Sequence, residues 1–229
     1  MRTVVISQPR YLPFIGYFSR IHKSDVFIIL NTVKFKIKEF DRRNKLRSYV
    51  PPGWFWLSVP VKRSDYNKNI NEVVIDQESN WREKHWRSIE MGYARAPYFK
   101  DYKNELKKIY SCKWSKIQDL QISQIRLFME FLNISSEIVL SSDLRHDGKS
   151  TDLLISLVKE VGGDAYLYGK GGQNYLDVEK MKSCGILPIP HDFHHPEYSQ
   201  VHGGFIPYMA IIDLLFNEGP KSEDIVKSS

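Results

Sequence analysis

Thiols are scarce in this chain of 229 residues: Cys112 and Cys184 stand far apart and form no Cys-x-x-Cys pair. That excludes a disulfide framework and a four-sulfur zinc site, and it reads as free thiols in a reducing compartment. No run approaches the roughly 18 apolar residues of a membrane span, so no stable membrane insertion is expected. The chain opens on a strand-like run and shows no secretory leader, so a cytoplasmic protein is expected. There is no Walker A loop, no nucleophilic serine elbow, no zinc-finger spacing and no His-x-x-x-His on a helical stretch. No repeat or low-complexity segment is present.

What the chain does have is positive charge and aromatic rings. Lys and Arg number 33 against 27 Asp and Glu, a net +6, and aromatics make up 13%. The excess is uneven. Lys34 to Arg47 holds seven basic and two acidic residues, and Trp81 to Lys116 holds ten and four. Such segments are either solvated faces or sites for phosphate-bearing partners: a nucleotide, a sugar nucleotide, RNA or anionic lipid.

The first 31 residues set the fold class. Val4-Val5-Ile6 is a β-branched run, followed by a loop with Pro9, Pro13 and Gly16, an amphipathic stretch, and a second apolar run from Val26 to Leu30. This is strand, loop, helix, strand, the opening of a parallel α/β sheet. Further strands are expected at Glu137–Leu140, Ala165–Tyr168 and Ile186–Ile189, giving a doubly wound, Rossmann-like sheet of five strands. Residues 1–217 read as a single α/β domain with an insertion over about 32–134. Antiparallel hairpins are expected at 32–76, with Arg42 to Lys45 in a basic loop. Helices are expected near Trp81–Tyr93, Tyr98–Tyr110 and Ile117–Leu132. The polar tail from 218 to 229 is expected to fray.

In parallel α/β sheets ligands bind at the carboxyl ends of the strands. Three loops would meet there. Gln8 to Tyr17 offers Gln8, Arg10, Tyr11 and Tyr17 on a turn stiffened by two prolines. Gly169-Lys170-Gly171-Gly172, leading to Tyr175, lets backbone N–H groups approach an anion, or is a plain flexible turn. Residues 191–202 hold four histidines and two carboxylates, which suit proton transfer, substrate hydrogen bonding or structure better than a metal. Pro196 biases His195 towards an extended conformation. That aims His195 outward with Tyr198 and Gln200, while His194 faces the other way. On the helix from Trp81, Lys84 and His85 are placed to close over the cleft. Arg43 and Asn44 are candidates for a phosphate clamp. Asp213, among apolar neighbours, reads as a hydrogen-bonded structural acid. No metal site is expected.

Taken together, Gln8-Pro9-x-Tyr11-x-Pro13-x-x-Gly16-Tyr17-Phe18, Ser24-Asp25-Val26-Phe27, Arg43-Asn44, Leu57-x-Val59-Pro60-Val61, Trp81-x-x-Lys84-His85, Tyr166-x-x-Gly169, Tyr175-Leu176-Asp177, His195-Pro196-x-Tyr198-x-Gln200 and Phe205-x-Pro207 resemble the WbqC-like protein family, in order and over nearly the whole chain. The chain departs from that pattern at Asn31, where the family usually has Asp; an amide there cannot serve as a base. The resemblance implies a bacterial transferase of O-antigen and lipopolysaccharide biosynthesis that forms an amide, by glycyl or acyl transfer, on an amino sugar. A weaker likeness links the strand, Pro-rich loop and helix to nucleotidyltransferases and pantothenate-synthetase-like ligases. Phe14 and Tyr17 stand where those enzymes carry the two histidines of His-x-Gly-His.

Three functions follow as expectations. The first is amide formation on an amino sugar carried as a sugar nucleotide, with His195 or His85 taking the amine proton and Lys84 beside them. Its donor would be an aminoacyl-tRNA, an acyl carrier or an ATP-activated acid. The second is an ATP-dependent ligase or nucleotidyltransferase-like enzyme. The third is a non-catalytic subunit that binds a sugar nucleotide. No DNA partner is expected.

Overall fold

A computed structural model describes residues 1–229, for residue 173 the backbone alone. Strand β1 (Thr3–Ser7) leads through a loop to helix α1 (Ile15–His22) and strand β2 (Val26–Ile29). The insertion follows: a hairpin of β3 (Arg43–Arg47) and β4 (Trp54–Ser58), then helices α2 (Trp81–Tyr93), α3 (Phe99–Ser111) and α4 (Ile117–Phe131). The alternation resumes with β5 (Glu137–Leu140), α5 (Thr151–Glu160), β6 (Ala165–Tyr168), α6 (Val178–Ser183) and β7 (Leu187–Pro190). A long strap over 191–210 then reaches α7 (Ile211–Glu218) and α8 (Ser222–Ser228).

The five strands β5-β2-β1-β6-β7 pair in that order, every pair parallel. The chain is wound outward from β1 in both directions, the α/β doubly wound arrangement expected from the sequence. Alternation of side chains divides the core into two layers. Val5, Phe27, Ile29 and Leu167 face α1, α4, α7 and the insertion. Val4, Ile6, Val26, Ile28, Tyr166 and Tyr168 face α5 and α6. Burial on both faces explains why the strands read as continuous apolar runs.

The insertion differs from expectation in two places. The stretch expected as hairpins over 32–76 holds a single hairpin; Lys34 and Ile75 make only isolated bridges, with Asn69 and Val61. Arg43 to Lys45 lie in β3 rather than in a loop, because Asn44 and Leu46 are buried and give the segment a period of two. The tail expected to fray is also ordered. Val226 is buried, and the Ser229 carbonyl accepts hydrogen bonds from Ser19 Oγ and Lys23 Nζ on α1.

The insertion grips the loop after β1. Leu12 is forced to a φ of 46°, a region costly for a branched residue. It is held there by Gln124 Oε1, which accepts from the Leu12 N–H at 3.2 Å, and by Asn44 Nδ2, which donates to the Leu12 carbonyl. Gln121 Nε2 donates to the Pro9 and Asp41 carbonyls. Tyr11 is fully buried. Its hydroxyl lies 2.7 Å from that of Tyr110 and 2.8 Å from His85 Nδ1, and His85 Nε2 lies 3.2 Å from the Ser58 carbonyl. A carbonyl only accepts, so Nε2 carries the proton and Nδ1 receives the Tyr11 O–H.

Tyr11, His85 and Asn44, expected in the site, are therefore core residues that shape the loop. His85 does not close over the cleft, and Lys84 points to solvent from α2. The helix begins as expected, but its inner face is set by Trp81, His85, Trp86 and Ile89.

Burial pushes the His85 imidazole down to about 4. Between its ordinary value of 6.5 and 4, the unfolded chain binds a proton that the folded one refuses. Stability therefore falls as pH drops through that window, by about 3 kcal/mol from this residue. His85→Gln is expected to flatten the acid side of the stability curve, read as the unfolding free energy in urea against pH. Parallel curves for the two proteins would contradict this.

Candidate active site at the carboxyl ends of the strands

The reversal of winding falls between β1 and β6. β1 pairs with β2 from Val4 to its end at Ser7, but with β6 only at Thr3 and Val4. The two strands part towards their carboxyl ends. A cleft of about 800 Å³ opens there, within the range of small-molecule sites. The loop after β1 supplies Arg10 and Phe14, and α1 supplies Gly16, Tyr17 and Arg20. Gly169, Lys170 and Gly171 follow β6; His191, Asp192, Phe193 and His194 follow β7; Tyr208 comes from the end of the strap.

Arg20 forms the floor. Its Nη2 donates to Ser7 Oγ at the tip of β1, while its Nε has no partner. Among the described residues, neither Arg10, Arg20 nor Lys170 has a carboxylate at ion-pair distance. Burial lowers the Arg20 guanidinium below its ordinary value. Gly169 makes room for it, since a Cβ there would lie 2.5 Å from Arg20 Nη1. Tyr17 is buried, and its hydroxyl donates to the Gln8 carbonyl at 3.0 Å. Burial raises the Tyr17 phenol, and Arg10 and Arg20 pull it back. The ring thus serves as a neutral wall between two guanidiniums. The N-terminus of α1 adds a partial positive charge through the Gly16 N–H, the Tyr17 N–H being taken up by the Phe14 carbonyl at 3.0 Å.

The histidines of 191–202 go to separate places. His191 lines the cleft with Nε2 3.1 Å from Ser19 Oγ. Burial, with Lys23 and Arg20 nearby, lowers it to about 4, so it is neutral at physiological pH. His194 is exposed in the cleft, Nδ1 3.7 Å from Asp192 Oδ1. His202 Nε2 is 2.7 Å from the Gly92 carbonyl. His195, expected to aim outward as a base, turns behind the wall. Its Nδ1 lies 2.9 Å from the Pro196 carbonyl, and its Nε2 accepts from the Tyr208 N–H at 2.9 Å. Both nitrogens are committed, and the ring packs on Tyr208 at 4.8 Å between centroids.

Tyr198 and Gln200 also serve the strap. Tyr198 Oη and Gln200 Nε2 donate to the same oxygen of buried Asp213, at 2.8 and 2.7 Å. Burial raises Asp213 to about 6, against the pull of these hydrogen bonds and of Arg47. Arg47 is itself buried and donates to the carbonyls of Gly53, Val201, Gly203 and Gly204. This knot pins the strap over the hairpin.

Of the residues expected in the site, the cleft gathers Arg10, Tyr17, Gly169 and Gly171. Gln8 contributes its carbonyl, and Tyr175 is 57% exposed past the Gly169 loop. Arg43 lies on the hairpin, stacked on Trp56. Asn31 is buried at the ends of β2 and β5. Its Oδ1 accepts from Ser141 Oγ and the Ser142 N–H, and its Nδ2 donates to Gln118 and Ser142. The amide uses both of its ends. Arg20 was missed from the sequence. The available signal was an arginine four residues after Gly16, on the same face of a helix whose other positions are almost all apolar.

No solved structure was found to match the chain. The chain is 28% identical over 230 residues to the uncharacterized protein Rv1507c of Mycobacterium tuberculosis, a match covering 99% of this chain and 98% of that one. The model of the WbqC-like protein family matches residues 8–225. With nearly the whole α/β chain matched, the protein belongs to the WbqC-like family.

Proposed function

We propose that the cleft binds a sugar nucleotide by its diphosphate and that the protein transfers an acyl or aminoacyl group to an amine on that sugar. One observation carries this reading: Arg10, Arg20 and Lys170 converge on the switch point of the sheet without a carboxylate partner. A partly buried guanidinium without an anion is costly, and a phosphate ligand relieves that cost. Phe14, Phe193 and Tyr208 form an aromatic wall, with ring centroids 5.8 and 6.0 Å apart, suited to a base or sugar face.

Amide formation needs a neutral amine and an acceptor for its proton. His194 suits that role better than His195. Asp192 Oδ1 lies 3.7 Å from its Nδ1, close enough to stabilise the imidazolium that forms when the ring takes the amine proton. His191 stays neutral and is tied to Ser19.

Two outcomes are expected. In calorimetry and thermal shift, a uridine- or deoxythymidine-diphosphate amino sugar binds, stabilising the protein by about 2.7 kcal/mol at a hundredfold excess over Kd. Arg20→Gln weakens that binding roughly 10- to 100-fold, and Gly169→Ala, which pushes a methyl into Arg20, weakens it too. Equal affinity in Arg20→Gln, or tighter binding of ATP than of any sugar nucleotide, would overturn the reading, the latter in favour of a ligase.

The second outcome separates the histidines. His194→Asn is expected to lower turnover by about 10²–10⁴-fold with its melting temperature unchanged. His195→Asn is expected to cost about 1 kcal/mol of stability, through the Tyr208 N–H it leaves unpaired. A selective rate loss in His195→Asn alone would return the base to that residue.

A further inference from the structure

The outward face of the hairpin carries a row of rings and cations that leads into the cleft. Asn44, Leu46 and Leu57 are buried; Arg43, Lys45, Trp54 and Trp56 share the opposite face. Arg43 lies 4.3 Å from the Trp56 centroid, and Lys45 lies 4.3 Å from that of Trp54 and 5.6 Å from that of Trp56. Trp54 and Trp56 are 5.8 Å apart between centroids, as are Trp56 and Phe40. Arg10 then sits 5.5 Å over Phe40, and Arg10 lines the cleft. The series Trp54, Trp56, Phe40, Arg10 thus advances in near-equal steps from the far side of the hairpin to the anion site. Arg43 and Lys45, like Arg10, have no carboxylate at ion-pair distance among the described residues. Lys36 and Lys38 are exposed beside the row.

We propose that this face is a landing track for the single-stranded end of an RNA, which delivers the acyl group to the cleft. The guanidinium planes of Arg43, over Trp56, and of Arg10, over Phe40, offer stacking surfaces to unpaired bases. The rings beneath, edge-on or tilted to one another, hold those planes in place, and Lys45 meets the phosphates. Every base has a π face, so the track needs no base-edge readers, and none line it. A lipid surface would call for protruding apolar side chains, whereas these rings are only partly exposed and capped by cations. The proposal rests on the transfer reading and names its donor. The sugar amine forms a new C–N bond to the acyl carbon, the C–O ester bond to the RNA breaks, and the RNA hydroxyl leaves with the proton taken from the amine.

The test uses the full chain and a fluorescein-labelled single-stranded RNA of about ten nucleotides, read by fluorescence anisotropy at several salt concentrations. Arms with the duplex RNA, with DNA of the same sequence and with phosphatidylglycerol vesicles run in parallel. The single-stranded RNA is expected to bind best, with an affinity that falls as salt rises. Trp54→Ala and Trp56→Ala are each expected to lower it roughly 5- to 100-fold, and Lys45→Glu to lower it and flatten its salt dependence. Lys45 is half-buried at the surface, and Lys45→Glu leaves both rings in place, so it keeps the test open should a tryptophan variant fold poorly. Sugar-nucleotide affinity should stay unchanged in all three. Wild-type RNA affinity in Lys45→Glu and in the folded tryptophan variants, or tighter binding to duplex, DNA or vesicles, would overturn the track. Loss of RNA binding with sugar-nucleotide binding intact sinks only this inference. RNA binding with no sugar-nucleotide affinity sinks only the transfer reading.

Discussion

β1 is hydrogen-bonded along both edges, and the unequal length of those two pairings governs the rest. Against β2 it runs to Ser7; against β6 it stops at Val4. The helices that follow these strands pack on opposite faces of the sheet, so neither covers the gap. Where the strands part, Ser7 turns its hydroxyl to Arg20, and Gly169 gives up its side-chain volume to the same guanidinium. The cleft is thus a consequence of topology, and its charge is a consequence of one arginine on the inner face of α1. An arginine so placed costs desolvation unless something negative meets it. Among the described residues no carboxylate lies at ion-pair distance from it, and that is the observation on which the proposed diphosphate site rests.

The insertion looks like an appendage in the sequence, yet it does the positioning. The loop after β1 crosses a left-handed conformation at Leu12 and would not hold that shape alone. Gln121 and Gln124 from α4, Asn44 from β3 and the Tyr110–Tyr11–His85 chain hold it. Buried polar networks fix one geometry, because any shift leaves further donors or acceptors unpaired. Of the two glutamine amides here, Gln121 Oε1 and Gln124 Nε2 lack a partner among the described residues. Three residues that look like chemistry in the sequence, His85, Tyr11 and Asn44, act one layer behind the cleft. They set where Arg10 stands.

That explains what the sequence made legible. All five parallel strands were readable, because strands buried on both faces leave uninterrupted β-branched and aromatic runs. The three helices of the insertion were readable from their apolar period. The hairpin count was not, since single bridges such as Val61 to Ile75 share the composition of short strands. For the site, the three loops were foreseeable from strand ends alone. Of the side chains, Arg10 and Tyr17 were foreseeable with the first loop, and most others were not. Whether Tyr11 points to the cleft or to Tyr110 depends on a helix a hundred residues away. Whether His195 is free depends on the backbone N–H of Tyr208. Arg20 was passed over because one charge on an amphipathic helix ordinarily faces water, and here the parted strands let it turn inward.

The strap joins these parts into one mechanical unit. One end carries His191, Phe193 and His194 into the cleft, and the other returns Tyr208 to the same wall. Between them it crosses the hairpin, where Arg47 holds three of its carbonyls and Asp213 holds Tyr198 and Gln200. Arg47 belongs to β3, the strand that also bears Arg43 and Lys45. A displacement of the hairpin therefore cannot leave the aromatic wall of the cleft untouched, since the two share a buried arginine. Should a ligand on the hairpin face shift the hairpin, its effect on the cleft and the cleft's effect on that face would be equal, as linkage requires.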